Sequence, residues 1–403
     1  MPETAWLKRT SPAFRLMIAT SWLAPPSWQE RQEEAIRGAL VGGRLEWMEY
    51  LRLVKRHRTP AISWAALRRV PGLEIPGHAS EELQKRSDAC RMQAVKHSMQ
   101  LAGVLKSLNR AAIPVMTFKG PTLSSELYGD VGLRQSRDLD LAVRPVDLPR
   151  AQACLEKMGW RLESTWFSLS PRQWESLLRH ERHLCFEHTQ STSLLELHWR
   201  NKWDPPEVSR GYWARSTPSV WQGSSYQAMN LIDLAIYLCG HGADHTWFRA
   251  KWLGDLARLH TSGGVDWSTA LDQSRRTSQD RALLAGLCLL REAYGLPMPS
   301  MRGSPWESLP TRLVEVPLRA LKSFEEPPTK ASVASIRYRI RIARYQRLLL
   351  PQMRWGDSLA DLNYFRGDFR LLRLPDSLFW AYALLHPFLW LLRWARRGMP
   401  LRD

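Results

Sequence analysis

Two aspartates, Asp138 and Asp140, flank and interrupt a short apolar run that ends at Val143 and predicts a β-strand. Because strand side chains alternate between faces, the two carboxylates share one face, with Leu139 and Leu141 on the other, toward the core. Neighbouring carboxylates repel each other, and a divalent cation relieves that repulsion; paired carboxylates and substrate phosphates are the usual way Mg²⁺ is held. The alternative is an exposed strand edge with solvated acids, the commoner outcome for an isolated Asp-x-Asp.

Upstream of this pair, the apolar run from Ile113 to Phe118 ends in Lys119-Gly120 and is followed by a predicted helix start that contains Thr122. A glycine at a strand-to-helix turn lets a phosphate approach backbone amides, and the helix N-terminus adds positive partial charge. Lys119 adds a point charge at the same corner. The turn is therefore a candidate phosphate-binding element, although by itself it is weak support for one.

A third carboxylate, Glu196, lies in the apolar stretch from Leu194 to Trp199 and shares a strand face with His198. An acid in an apolar strand is costly unless it is paired or binds a ligand. Three carboxylates on neighbouring strands can hold two Mg²⁺ ions, one lowering the pKa of an attacking hydroxyl and the other holding a triphosphate and its leaving pyrophosphate. In this interpretation Glu196 binds the hydroxyl-side ion and accepts the proton.

Basic and histidine side chains form a second set of candidates. His241 and His245 are four residues apart and share a helical face, but a glycine stands where a zinc protease motif requires glutamate. We expect these histidines and Arg249 to face the cleft and contact triphosphate or acceptor; the alternative is histidines satisfied within the core. Arg134 and Arg137 are candidate phosphate contacts, or cations that neutralise the acidic pair.

Four motifs occur in order over residues 118–257: F-K-G-P-T-L, then G-D-V-G-L-R-x-x-x-D-L-D-L-A-V, then E-L-H-W, then H-G-A-D-H-x-W-x-R-x-K-W-L-x-D-L-A. Together they resemble the uncharacterised bacterial nucleotidyltransferase family of the DNA polymerase β-like nucleotidyltransferase superfamily. The resemblance implies that Asp138 and Asp140 are the metal-binding pair, Glu196 the third carboxylate and Gly120 the glycine of the nucleotide-binding turn. It also implies Mg²⁺ or Mn²⁺ as cofactor and a nucleoside triphosphate as co-substrate.

The sequence departs from that pattern at three points. Pro121 follows Gly120 where the superfamily has serine or glycine, which removes one backbone amide donor. Seventeen residues separate Gly120 from Asp138, and Glu196 stands where aspartate is commoner.

The amino-acid composition limits the partners, the fold classes and the compartments that are possible for this chain. Lys and Arg total 57 against 39 acidic residues, a formal charge of +18, which favours an anionic partner or reflects a basic proteome. Five widely spaced cysteines exclude a disulfide scaffold and a zinc finger, so a reducing cytoplasm is the expected compartment. The chain shows neither a signal peptide nor an uncharged apolar run of about 18 residues.

The distribution of apolar residues predicts an α+β fold. We expect an N-terminal helical segment (1–110), a small mixed-sheet polymerase β-like nucleotidyltransferase core (111–205) and a C-terminal helical domain (206–403). The strands expected in the core include His183 to His188 and Leu194 to Trp199, joined by a polar turn.

Two C-terminal segments suggest partners. Residues 330–354 contain seven Lys or Arg and no acid, typical of an RNA-binding or anionic-lipid-binding segment, or of a solvated helix face. Residues 377–397 combine an apolar body with Trp and Arg, which indicates either peripheral contact with the inner face of the membrane or a helix pair packed on the core and kinked at His386-Pro387.

The sequence thus predicts a magnesium-dependent transfer of a nucleoside monophosphate to an acceptor that the sequence does not identify: a small molecule, peptide, glycan precursor or tRNA. One alternative is a toxin-like transferase directed at tRNA. The other is a catalytically degenerate nucleotide-binding scaffold at the membrane.

Overall fold

The computed structural model describes residues 4–41, 45–163, 169–201, 206–301, 306, 308–323, 333–350 and 366–395. Within these residues, α-helices precede the first strand. They are α1 (Pro12–Thr20), α2 (Gln29–Val41), α3 (Trp47–His57), α4 (Pro60–Arg68) and α5 (Gly77–Arg110). The helical character expected of residues 1–110 is confirmed where the chain is described.

Local sequence explains two of these helices. The Ser11 side chain accepts a hydrogen bond from the Phe14 N–H and so caps α1, satisfying one amide that the helix leaves unpaired. Helix α5 extends over 34 residues, and its apolar residues recur at spacings of three and four. That spacing buries Leu101, Leu105 and Leu108 in the same core as the central strands.

The described chain forms one sheet of seven strands, in the order β3-β4-β5-β2-β1-β7-β6. The strands are β1 (Met116–Thr117), β2 (Asp138–Ala142), β3 (Trp160–Leu162), β4 (His183–His188), β5 (Leu194–His198), β6 (Thr217–Trp221) and β7 (Ser224–Ala228). Strand β2 pairs in parallel with β5, and β1 in parallel with β7, whereas the other neighbours are antiparallel. The sheet is therefore mixed, as the sequence predicts, and β4 and β5 form the expected hairpin.

One face of this sheet is apolar and covered, and the other carries the polar side chains of the central strands. The covered face buries Leu139 and Leu141 of β2 with Leu195 and Leu197 of β5, against α5 and a helix that follows β2. The helices inserted between strands are α6 (Gly120–Tyr128), α7 (Leu148–Lys157), α8 (Pro171–His180) and α9 (Pro206–Arg215). Because side chains alternate between the two faces of a strand, the polar side chains of the central strands lie on the face opposite this core.

Further helices follow the sheet. They are α10 (Leu231–Asp244), α11 (Ala250–Ser262), α12 (Trp267–Arg276), α13 (Asp280–Tyr294), α14 (Arg312–Lys322), α15 (Val333–Leu349), α16 (Arg366–Leu371) and α17 (Ala381–Ala395). Helices that precede the sheet and helices that follow it share one hydrophobic core, in which Leu16 and Trp22 pack with Leu253 and Leu290.

Helix α17 is two-sided. Tyr382 and Leu389 are buried in the sheet core, whereas Leu384 and Phe388 of the helix, and Trp380 just before it, are at least 60% exposed and spaced four residues apart. Pro387 lies inside this helix. No helix among the described residues is both long and apolar enough to cross a bilayer. Peripheral membrane contact through 377–397 stays a prediction, and residues 396–397 lie outside the described residues.

The α+β fold class and the mixed sheet are confirmed. The sequence did not predict β3, β6 and β7, which are short or polar, as in Thr217–Trp221. Because β7 pairs with β1, the sheet extends to residue 228, past the limit of 205 expected for the core. The division into three domains itself stays a prediction.

Close packing in the shared helical core leaves no room for a side chain at Gly254 of α11. A Cβ atom at this position would overlap the backbone carbonyl oxygen of Ser21, which a side-chain rotation does not relieve. We expect Gly254→Ala to lower the free energy of unfolding by about 1–3 kcal/mol, the usual cost of overpacking. Gly38→Ala, in α2 with open space around its Cβ, is the control and should raise it by about 1 kcal/mol through helix propensity. Chemical denaturation measures both, and equal effects would contradict the packing described.

Candidate active site

The register of two parallel strands places the acidic side chains together. Asp140 on β2 is directly beside Glu196 on β5, and Ala142 is beside His198. Alternation along β2 puts Asp138 on the same face as Asp140. The Asp140 side chain is only 2% exposed and that of Glu196 is 29% exposed, so one carboxylate lies deep in the site and another borders solvent.

The glycine turn brings a cation to this face. Gly120 has a φ of +67°, a conformation that favours glycine, and this lets the chain turn directly from β1 into α6. Lys119 at the N-cap of α6 consequently lies over the sheet, with its Nζ 3.1 Å from Asp140 Oδ1. Thr122 is buried, and its hydroxyl donates to the Lys119 carbonyl oxygen at 3.0 Å, which stabilises the turn.

Two histidines that were not predicted as site residues complete the cluster. His198 Nε2 lies 3.2 Å from Asp140 Oδ1 and 3.1 Å from Glu196 Oε2. His183 is opposite His198 in the β4–β5 pairing, and its Nε2 lies 3.9 Å from Glu196 Oε1. The sequence did contain a signal, since Glu196 and His198 share a strand face, but the position of His183 depends on the hairpin register.

These contacts set the charge of each acid. Burial by itself would raise the pKa of Asp140, but Lys119 and His198 together lower it below its ordinary range. Burial likewise acts to raise the pKa of Glu196, yet the hydrogen bond from His198 lowers it to about 2. Burial, followed by repulsion from Asp140 and Glu196, raises the pKa of Asp138. In this cluster Asp140 and Glu196 therefore stay ionised, whereas both of them repel an ionised Asp138.

The donor set fits a hard divalent cation. Carboxylate oxygens are the ligands that Mg²⁺ prefers, and here three come from two adjacent strands on one face. The raised pKa of Asp138 has repulsion by Asp140 and Glu196 among its causes, and a divalent ion between the carboxylates would remove that repulsion. Asp138, Asp140 and Glu196 thus lie on one face of two adjacent strands, and their role as ligands of one metal site stays a prediction.

The other predicted basic residues have different surroundings. Arg134 is buried, and its Nε lies 2.8 Å from Asp255 Oδ2, an ion pair that joins the segment before β2 to α11. Arg137 is exposed. Arg249 is buried, donates to the carbonyl oxygen of Arg56 and lies against the Phe248 ring. Arg134 and Arg249 therefore join elements of the fold, and their role as phosphate contacts stays a prediction.

Helix α10 covers one side of the site. Lys119 Nζ lies 5.7 Å from the centre of the Tyr237 ring, and the Tyr237 ring stacks on His241 with 5.9 Å between centroids. His245 stacks on Trp252 of α11 at 4.9 Å. Burial, followed by the charge of Lys119, lowers the pKa of His241 well below its ordinary value. His241 is thus a neutral ring near the site, and its contact with a ligand stays a prediction.

Lys251 is a cation that was noted in the sequence motif but not proposed for the site. Its Nζ donates to the Gln135 carbonyl oxygen at 3.1 Å. Burial, followed by the charge of Arg134, lowers the pKa of Lys251 to about 7, and attraction from Asp138 opposes this. Helix α11 therefore brings a lysine close enough to Asp138 for the two charges to interact.

Comparison with known proteins identifies the family of this chain. Residues 43–295, more than half of the chain, match the sequence pattern of a family described as uncharacterised nucleotidyltransferase. The chain belongs to the uncharacterised nucleotidyltransferase family. The resemblance noted over residues 118–257 is thereby confirmed, and the matched region of this nucleotidyltransferase-family chain contains every predicted site residue.

Two other comparisons add little. The comparison with curated proteins finds no match. Among solved structures, the nucleotidyltransferase-family chain is similar to the solution structure of the antibiotic-resistance factor ANT(2'')-Ia, with 13% sequence identity and a TM-score of 0.27. That similarity covers 63% of this chain and 96% of the other.

A buried histidine next to this region predicts a pH dependence of stability. His57 Nδ1 accepts a hydrogen bond of 3.0 Å from the Ala250 N–H, and burial, followed by the charge of Arg56, lowers the His57 pKa well below its ordinary value. The unfolded chain therefore takes up a proton near neutral pH that the folded chain excludes. Between about pH 7.5 and about pH 5.5, this one group should cost about 1.4 kcal/mol of stability.

The variant His57→Asn keeps an acceptor at this position and removes the titration. Its free energy of unfolding, measured by chemical denaturation, should fall less on acidification than that of the unmodified chain. His78→Asn, at an exposed position, should leave the pH dependence unchanged. If His57→Asn and the unmodified chain lose equal stability on acidification, His57 titrates in the folded state and the account of its burial is wrong.

Proposed function

We propose that this chain transfers a nucleoside monophosphate from a nucleoside triphosphate to an acceptor, in a reaction that depends on a divalent cation. The observation that carries the proposal is the side-by-side pairing of Asp140 with Glu196 on adjacent parallel strands, with Lys119 on the same face. Membership of the nucleotidyltransferase family supports the class of reaction. The acceptor attacks the α-phosphorus through oxygen, and the bond to pyrophosphate breaks.

Asp138, Asp140 and Glu196 are the residues that would hold the cation, Mg²⁺ or Mn²⁺. When bound, such an ion neutralises triphosphate charge and lowers the pKa of an attacking hydroxyl. Lys119 contributes a positive charge next to Asp140 and would contact a phosphate oxygen. Glu196 is held ionised by His198, and its pKa of about 2 makes it a weak base; it would accept the acceptor's proton only from a hydroxyl whose own pKa the bound cation lowers. Gly120, Thr122, Arg134, Arg137, His241, His245 and Arg249 remain proposed nucleotide contacts.

Isosteric substitution of the aspartates tests this proposal. Asp138→Asn and Asp140→Asn keep side-chain shape but remove the negative charge that holds the cation. We expect each to weaken Mg²⁺-dependent triphosphate binding by on the order of 100-fold or more. Isothermal titration calorimetry with each of the common nucleoside triphosphates, in the presence and absence of Mg²⁺, measures the effect.

Asp130→Asn is the matched control, because Asp130 forms a more exposed ion pair with Arg91 outside the cluster. It should bind triphosphate like the unmodified chain. Triphosphate binding that persists in both site variants would reject the proposed site. Incubation with labelled triphosphates and fractionated lysate then identifies the molecule that takes up label, and binding without any transfer would favour the degenerate-scaffold alternative.

A nucleic-acid acceptor is the second candidate, and the basic helix α15 favours it. Arg337, Arg341 and Arg344 are exposed and lie four and three residues apart, so they occupy one face. Lys330 and Arg354, also part of the predicted basic segment, lie outside the described residues. Gln346 of the same helix donates to Asp244 Oδ1 at 3.0 Å, at the end of α10, which covers the site.

That contact continues to the cluster itself. Arg182 Nη1 lies 3.6 Å from Asp244 Oδ2, and Arg182 directly precedes His183. Helix α15 is therefore joined by two side-chain contacts to the residue before His183. Gln346 makes this contact from the opposite side of the helix to Arg337, Arg341 and Arg344, so the arginine face stays exposed to an acceptor with a phosphate backbone.

Salt dependence of RNA binding tests this acceptor class. Replacing Arg337, Arg341 and Arg344 with glutamine should reduce the slope of log binding constant against log salt concentration by about 2–3, because each phosphate contact releases about one counterion. The same change at Arg52, Arg110 and Arg276, exposed arginines on three other helices, should leave the slope nearly unchanged. Fluorescence anisotropy with labelled tRNA measures it, and equal slopes for the two triple variants would count against a nucleic-acid acceptor.

A further inference from the structure

We propose that His183, Glu196 and His198 form a second metal site, one that binds a transition-metal ion of the Zn²⁺ or Co²⁺ type. This site is adjacent to the proposed magnesium site and shares Glu196 with it. Its existence does not depend on nucleotidyl transfer, because the argument rests on the ligand geometry of the β4–β5 hairpin.

The hairpin register brings the three ligands together. His183 pairs directly with His198, and Glu196 is two residues before His198 on the same face of β5. One ligand atom from each residue lies within 4.8 Å of the others. The His183 and His198 rings are tilted at 37° with 4.9 Å between their centroids. All three side chains thus converge from two adjacent strands.

The chemistry of the donors differs from that of the magnesium site. Imidazole nitrogen is a ligand for Zn²⁺, Co²⁺ and Ni²⁺, whereas Mg²⁺ prefers carboxylate and water oxygens. Two imidazoles and one carboxylate form a recurring ligand set of catalytic zinc sites, in which a fourth position stays open. The cluster therefore selects an ion that Asp138 and Asp140 do not favour.

The distance between His183 and Glu196 leaves room for an ion. His183 Nε2 is 3.9 Å from Glu196 Oε1, too far for a hydrogen bond. A cation bound between these two atoms would link them. Among the described residues, Nδ1 of the same ring is buried without a hydrogen-bond partner, and an ion on Nε2 would not change that.

The two oxygens of Glu196 allow both sites to exist. Oε1 faces His183 and Oε2 faces His198, and His198 in turn lies 3.2 Å from Asp140 Oδ1. A carboxylate in this position can bridge two ions. The neighbouring Asp138 has no part in the histidine site, so substitutions at Asp138 and His183 separate the two sites.

Cobalt binding tests the proposal. Co²⁺ added to the purified full-length chain should give visible d–d absorption bands of a four- or five-coordinate nitrogen-containing site, and Zn²⁺ should displace it while Mg²⁺ should not. His183→Gln should weaken Co²⁺ binding at least tenfold, whereas Asp138→Asn should change it less than threefold. His188→Gln, on the same strand outside the cluster, is the matched control and should bind Co²⁺ like the unmodified chain.

X-ray absorption spectroscopy of the Zn²⁺-loaded unmodified chain gives a result that does not depend on the folding of any variant. Two imidazole ligands in the first coordination sphere support the site. An all-oxygen sphere, or Co²⁺ binding that is lost in Asp138→Asn and kept in His183→Gln, would overturn it. Because neither measurement uses a nucleotide, absence of nucleotidyl transfer would reject the proposed function and leave this inference intact.

Discussion

The structure depends on placing negative charge on a sheet face that is largely closed to water. Asp140 is almost completely buried, and an ionised carboxylate there requires cations within hydrogen-bond distance. Lys119 from the glycine turn supplies a cation, and His198 from the neighbouring strand places its Nε2 3.2 Å from Asp140 Oδ1. The negative charge of Asp140, which attracts these groups of the protein, would also attract a divalent ion. The acidic face is therefore a candidate binding site as well as part of the fold.

The rest of the fold keeps those few side chains in position. The covered face of the sheet packs on α5 and α7, which fixes the opposite face toward α10. Tyr237 of α10 lies against Lys119, and the buried pair of Arg134 with Asp255 joins the segment before β2 to α11. Because helices that precede and follow the sheet share one core, the N-terminal segment supports the site without contributing an acidic ligand to it.

The sequence predicted the parts that local patterns determine. Alternation put Asp138 and Asp140 on one strand face, and the family resemblance connected them with Glu196, which β2–β5 pairing places beside Asp140. The sequence did not predict His183 as a site residue. This ring comes to lie opposite His198 only through the register of the hairpin that β4 and β5 form. Nor did the sequence predict that Arg134 is paired with Asp255, since a contact between residues 121 positions apart leaves no local pattern.

The most direct measurement of the central claim is anomalous diffraction from crystals of the chain grown with Mn²⁺ and a non-hydrolysable nucleoside triphosphate analogue. The account predicts an anomalous peak between Asp138 and Asp140, at coordination distance from carboxylate oxygens, with the triphosphate next to Lys119. A triphosphate bound elsewhere, or Mn²⁺ density away from these two aspartates, would contradict it.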